Sequence, residues 1–182
     1  MRGAMVDSGW VWQNPGTAGR RRTEAARTGD KTGTQMGGHM KLQEANVYRE
    51  IQKNTQTAMK AMDTIAGKVY DDDLALQISR QSIMYAELHN EASRRLMDAR
   101  AENYQGSALS DALLKTGIHY NTILNTSTGH LAEMLIRGSN NGILEMEKAI
   151  RHNERAGDRP MALAKQLIDF EEKNIQSLKK YL

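Results

Sequence analysis

Apolar residues recur along this chain at steps of three and four, the period at which side chains return to one face of an α-helix. Leu42, Ala45, Tyr48, Ile51, Ala58, Met62 and Ile65 share such a face, which predicts a first helix over 42–66 with Gly67 as its terminator. Asp71, Asp72 and Asp73 supply an N-cap and acids that complement the positive end of a second helix. Its apolar line runs through Leu74, Ile78, Tyr85, Leu88, Ala92, Leu96 and Ala99, opposite a charged face with Glu91 spaced to pair with Arg94 and Arg95. Residues 103–110 read as a short connection. A third helix starting near Ser110 carries Leu113, Thr116, Tyr120, Ile123, Ser127, His130 and Met134 along one stripe.

The sequence Arg137-Gly138-Ser139-Asn140-Asn141-Gly142 combines a basic last turn with glycine and capping residues, so a break is expected there. The competing reading is one continuous helix in which Gly138 and Gly142, four residues apart, let a neighbouring helix come close. A fourth helix over 141–153 buries Ile143, Met146 and Ile150. Residues 156–160 form a turn, with Asp158 as N-cap and Pro160 in the first turn. A fifth helix continues to the C-terminus through Ala164, Leu167, Ile168, Glu171, Ile175 and Leu178. No strand alternation appears after residue 39. The fold expected is all-α, an up-down antiparallel bundle of four to five helices. An eight-residue link at 103–110 spans at most about 28 Å, whereas a helix of near thirty residues is about 45 Å long. An end-to-end crossover at that link is therefore not expected.

Residues 1–39 lack either period and hold Pro15, both tryptophans and eight of the fifteen glycines. They also hold all the excess charge. Six basic residues there face three acidic ones, and the remaining chain carries 19 of each. Two domains of unequal status follow: a disordered basic tail over 1–39 and a single helical domain over 40–182. Met36-Gly37-Gly38-His39-Met40 can be encoded with a GGAGG ribosome-binding sequence upstream of Met40, so the tail is expected to be translated leader or a cloning scar. If native, Arg20, Arg21 and Arg22 with Trp10 and Trp12 would suit phosphate contact and base stacking. Nucleic acid is expected as a partner only in that case.

The chain has no cysteine, which excludes disulfides and thiolate chemistry. No run reaches the length of a membrane span and no secretory h-region opens the sequence, so a cytoplasmic setting is expected. Di-iron bundles use Glu-x-x-His on two helices, and this spacing occurs nowhere here. The reversed His130-Leu131-Ala132-Glu133 places its two outer residues on one helix face. His89 and Glu171 lie on inward stripes, and Glu171 is flanked by apolar neighbours at 164, 168, 175 and 178. His89, His130, Glu133 and Glu171 are thus the candidate metal ligands, for iron or manganese. The bland reading is that they are satisfied core or boundary residues. Ser127 near His130 lacks a nucleophile elbow, and GSNNG (138–142) lacks the Lys-Ser/Thr of a phosphate loop. No catalytic residue is expected. The leading expectation is a structural or binding role with homo-oligomerisation through an apolar helix face.

Residues 125–143 (NTSTGHLAEMLIRGSNNGI), 163–182 (LAKQLIDFEEKNIQSLKKYL) and, more weakly, 69–82 (VYDDDLALQISRQS) resemble a family of short, mostly uncharacterised ferritin-like bundle proteins from anaerobic Gram-positive bacteria. The resemblance spans nearly all of 40–182. It implies a bundle of ferritin-like shape and a bacterial cytoplasm, with no cofactor or activity attached.

Overall fold

A computed structural model describes residues 40–106 and 127–182, which fall within one compact unit, residues 36–182. The expected tail over 1–39 and most of the predicted third helix, including Tyr120, lie outside the described residues. The described part is all-helical: α1 (Leu42–Ala66), α2 (Asp72–Asp98), α3 (Thr128–His152) and α4 (Asp158–Leu178), closed by a 3-10 turn at Lys179–Tyr181. Among the described residues there are four α-helices, and a fifth is not seen.

The α2 N-terminus follows the sequence reading. Asp71 is extended and its carboxylate accepts from the Leu74 amide at 2.8 Å, while Asp72 and Asp73 fill the first turn. The C-terminus of α2 closes on an unexpected residue. Arg100 takes φ 53°, and the amides of Arg100 and Ala101 return to the carbonyls of Met97 and Leu96, a left-handed termination made without glycine. At α4 the cap is Gly157, with φ 90°, and Asp158 is the first helical residue rather than the N-cap expected of it.

Two expectations about the middle of the chain are corrected. The stripe drawn from Leu113 to Met134 does not belong to one helix, because Ser127 is extended and its hydroxyl accepts from the His130 amide as an N-cap. The expected break at 137–142 is absent, and α3 runs unbroken from Thr128 to His152. The polar residues read as caps are otherwise engaged. Asn140 bonds back to the Ile136 carbonyl at 2.9 Å, Ser139 is buried against neighbouring helices, and Leu131, Ala132 and Met146 hold both halves of α3 on one core.

Packing is pairwise. α1 lies mainly on α2, and α3 mainly on α4, with α1 joining the two pairs. Tyr48, Ile51, Ile65, Leu74, Leu96, Leu131, Met146, Leu167 and Leu178 are almost wholly enclosed. Each such side chain contributes about 1.5–3 kcal/mol, far more than helix propensity does per residue. A polar cluster ties the chain after α2 to α1. The Gln52 amide donates to Ser93 at 2.8 Å and to Asn103 at 3.0 Å, and its carbonyl accepts from the Tyr104 amide at 2.7 Å. No described helix is long and apolar enough to cross a membrane.

Candidate functional site

Among the described residues, the core contains one carboxyl group that packing alone does not explain. Glu171 on α4 is 2 % exposed, an ionisable residue on the same buried face as Ala164, Leu167 and Leu178. Its partners are neutral and come from three helices. The Tyr85 hydroxyl of α2 donates to Glu171 Oε2 at 2.6 Å, Asn174 of α4 donates to the same Tyr85 oxygen at 3.4 Å, and the Ser139 hydroxyl of α3 hydrogen-bonds within the group. Phe170 packs edge-on against the Tyr85 ring at 5.0 Å and fixes its position. Burial raises the Glu171 pKa above the usual glutamate value, and bonds from Ser139, Tyr85 and Asn174 only partly offset that rise. Burial, and then the Glu171 charge, push the Tyr85 hydroxyl well above its ordinary range.

Gly142 explains how α1 reaches this group. A Cβ there would stand 2.9 Å from Asn54 Oδ1 and 3.0 Å from Glu171 Oε1. The missing side chain also bares the Gly142 carbonyl, which accepts from Asn54 Nδ2 at 2.8 Å. Because a carbonyl can only accept, this bond assigns the Asn54 amide and leaves its Oδ1 facing the same gap as Glu171 Oε1.

Glu171, Tyr85, Asn54 and Ser139 line a cavity of about 270 Å³ between α1 and α3. Ala58, Ala61, Met62, Met134 and Leu135 supply apolar wall. Glu50, Lys53 and Glu145 also line it, and the same three residues belong to an adjoining groove of about 400 Å³ that includes Arg49, Lys148 and His152. Lys53 bonds Glu50 at 2.9 Å and Lys148 bonds Glu145 at 2.8 Å. Burial works against the Lys53 charge, and the Glu50 bond outweighs it, so the Lys53 pKa is raised. The Lys148 bond lowers Glu145.

The four candidate ligands do not come together as one group. His89 Nδ1 stands 3.1 Å from Thr55 Oγ1, and since that hydroxyl already donates to the Ile51 carbonyl, the imidazole is the donor. Glu133 is exposed and bonded to Arg137, which lowers its pKa. His130 lies close enough to Glu133 for their charges to interact, and its Nε2 is buried without a hydrogen-bond partner among the described residues. Glu171 belongs to the Tyr85 group. Among the described residues no three His, Asp or Glu side chains form a group that could hold a metal ion.

Glu171 was visible in the sequence as a polar interruption of an apolar stripe, and Tyr85 as a member of the apolar line of α2. Asn174 was findable too, three residues beyond Glu171 on the same face. Asn54 and Ser139 were not, because each sits where helical phase permits either a boundary or a buried position. No family model matches this chain, and no curated protein or solved structure matches it either. The ferritin-like resemblance therefore rests on the quoted segments alone.

Proposed function

We propose that this protein is a non-catalytic binding bundle that holds a small ligand in the cavity between α1 and α3. The observation that carries this reading is the Glu171–Tyr85 pair at the end of an apolar-walled cavity. Ligand sites are typically apolar concavities with a few placed polar groups, and a buried carboxyl with a shifted pKa marks a functional candidate. The hydroxyls of Ser139 and Tyr85 bond Glu171, and among the described residues no histidine joins them, so binding is favoured over turnover. The metal reading gains no geometric support, because among the described residues no three His, Asp or Glu side chains come together.

A small-fragment thermal-shift screen on the full chain tests the proposal. Fragments that fill the cavity raise Tm in the wild type and lose the effect in Ala61→Leu, which narrows the cavity. Equal shifts in both proteins, or none in either, overturn it.

The proposal extends to architecture and assembly. Five-residue links at 67–71 and 153–157 support an up-down course for each helix pair, in keeping with a ferritin-like bundle of the cytoplasm. Leu76, Ile83 and Met97 are exposed on α2 at multiples of seven residues, the spacing of a helix–helix seam, which supports self-association with a second copy.

A further inference from the structure

Resting on the cavity reading, we infer that the ligand is a short aliphatic amine whose ammonium group sits against Glu171 and Asn54 and whose alkyl chain lies along the cavity wall. The hydrogen-bond inventory of the cavity's polar end leads there. The Tyr85 proton is committed to Glu171 Oε2, and one Asn54 N–H is committed to the Gly142 carbonyl. Two acceptors line the cavity beside Gly142, Glu171 Oε1 and Asn54 Oδ1, which lie 3.0 and 2.9 Å from where a Gly142 Cβ would stand. Two acceptors turned toward one space call for a group rich in donors, and an ammonium supplies three N–H bonds.

Charge selects the same group. Tyr85, Ser139 and Asn174 bond Glu171 without neutralising it, and the nearest cation of the cavity lining, Lys53, is bonded to Glu50. A buried carboxylate is costly unless paired. A ligand cation would be its counter-charge, through bonds about twice as strong as neutral ones.

Shape limits the rest of the molecule. A space of about 270 Å³ equals roughly nine water molecules in the liquid. Ala58, Ala61 and Met62 from α1 face Met134 and Leu135 from α3, which suits methylene groups. Glu50 and Glu145 at the rim are each satisfied by a lysine, so a single ammonium group completes the site.

Isothermal titration of the full chain with n-butylamine, butanamide and butyrate tests this inference. Butylamine should bind, butyrate should not, and butanamide should bind at least about tenfold more weakly. Glu171→Gln should weaken butylamine by about tenfold or more and leave butanamide nearly unchanged. Tyr85→Phe, which withdraws one of the donors that favour the ionised form of Glu171, should weaken butylamine and shift its binding curve to higher pH. Butanamide binding as tightly as butylamine, with both insensitive to Glu171→Gln, overturns the amine assignment and leaves the cavity proposal standing. Failure of all three probes to bind, in a protein that also gives no thermal shift with any fragment, overturns both.

Discussion

Glu171 links stability to pH in a direction opposite to most surface carboxylates. Its folded pKa lies above the ordinary 4.5 because burial penalises the charge. The folded protein therefore holds this proton more tightly than the unfolded chain does. Its contribution is full below the ordinary glutamate range and is lost as pH rises through the raised folded value. The groups facing it are Tyr85 from α2, Ser139 from α3, Asn174 from α4 and Asn54 from α1, with Glu50, Lys53 and Glu145 farther out along the cavity. Of the inner four only Tyr85 titrates, and it does so well above this window. Glu171→Gln should thus be close to wild type in urea denaturation at pH 4 and more stable than wild type at pH 8. A difference between the two proteins that stays constant across that range would show that Glu171 ionises freely in the folded state.

At the scale of the element, α3 gives the sharpest contrast, because two glycines four residues apart answer differently to the same change. Gly138 is exposed within the helix and a Cβ there meets nothing within 4 Å. Gly138→Ala should stabilise the protein by about 1 kcal/mol through helix propensity. Gly142 has the same propensity to gain, yet its Cβ would stand 2.9 Å from Asn54 Oδ1, inside normal contact. That oxygen cannot swing aside cheaply, since the Asn54 amide is bonded to the Gly142 carbonyl and Glu171 is held by Tyr85. Gly142→Ala should therefore lower stability by about 1–3 kcal/mol, the range for overpacking a buried contact. Thermal melts of the two variants compare these signs directly. The same segment shows where sequence reasoning stopped. Glycine, serine and asparagine in a row carry the composition of a helix end, and only the partners on α1, α2 and α4 reveal that Ser139 and Gly142 are needed for close approach. Apolar periodicity located α1, α2 and α4 to within a few residues, because each buries one continuous stripe. It carried the stripe across Ser127 for the same reason: apolar phase alone does not mark the N-cap at which α3 begins. His89 and Glu171 likewise shared inward phase, and phase says nothing of level along a bundle.

At the scale of the molecule, α2 carries apolar residues on two faces. Leu74, Ile78, Tyr85, Leu88, Ala92 and Leu96 point into the core, and Tyr85 reaches the Glu171 group from that side. Leu76, Ile83 and Met97 stand on the outside at 49 %, 60 % and 67 % exposure, one and then two heptads apart. Scattered exposed apolar residues are ordinary, but a heptad recurrence on one helix is the pattern that seats a second helix. Arg80, Glu87 and Arg94 flank this line, so a paired copy would meet charge of both signs along its edges. Ile83 lies between Leu76 and Met97 on this line and is not among the residues that line the cavity. Ile83→Arg should consequently leave the melting behaviour of the monomer and its fragment binding unchanged while removing self-association. Sedimentation velocity across a concentration series checks this. The wild type is expected to sediment as an assembly that dissociates on dilution, and Ile83→Arg as a single monomeric species at every concentration. A wild type that is monomeric throughout, or a variant that assembles as the wild type does, would mean that the α2 line does not pair with a second copy.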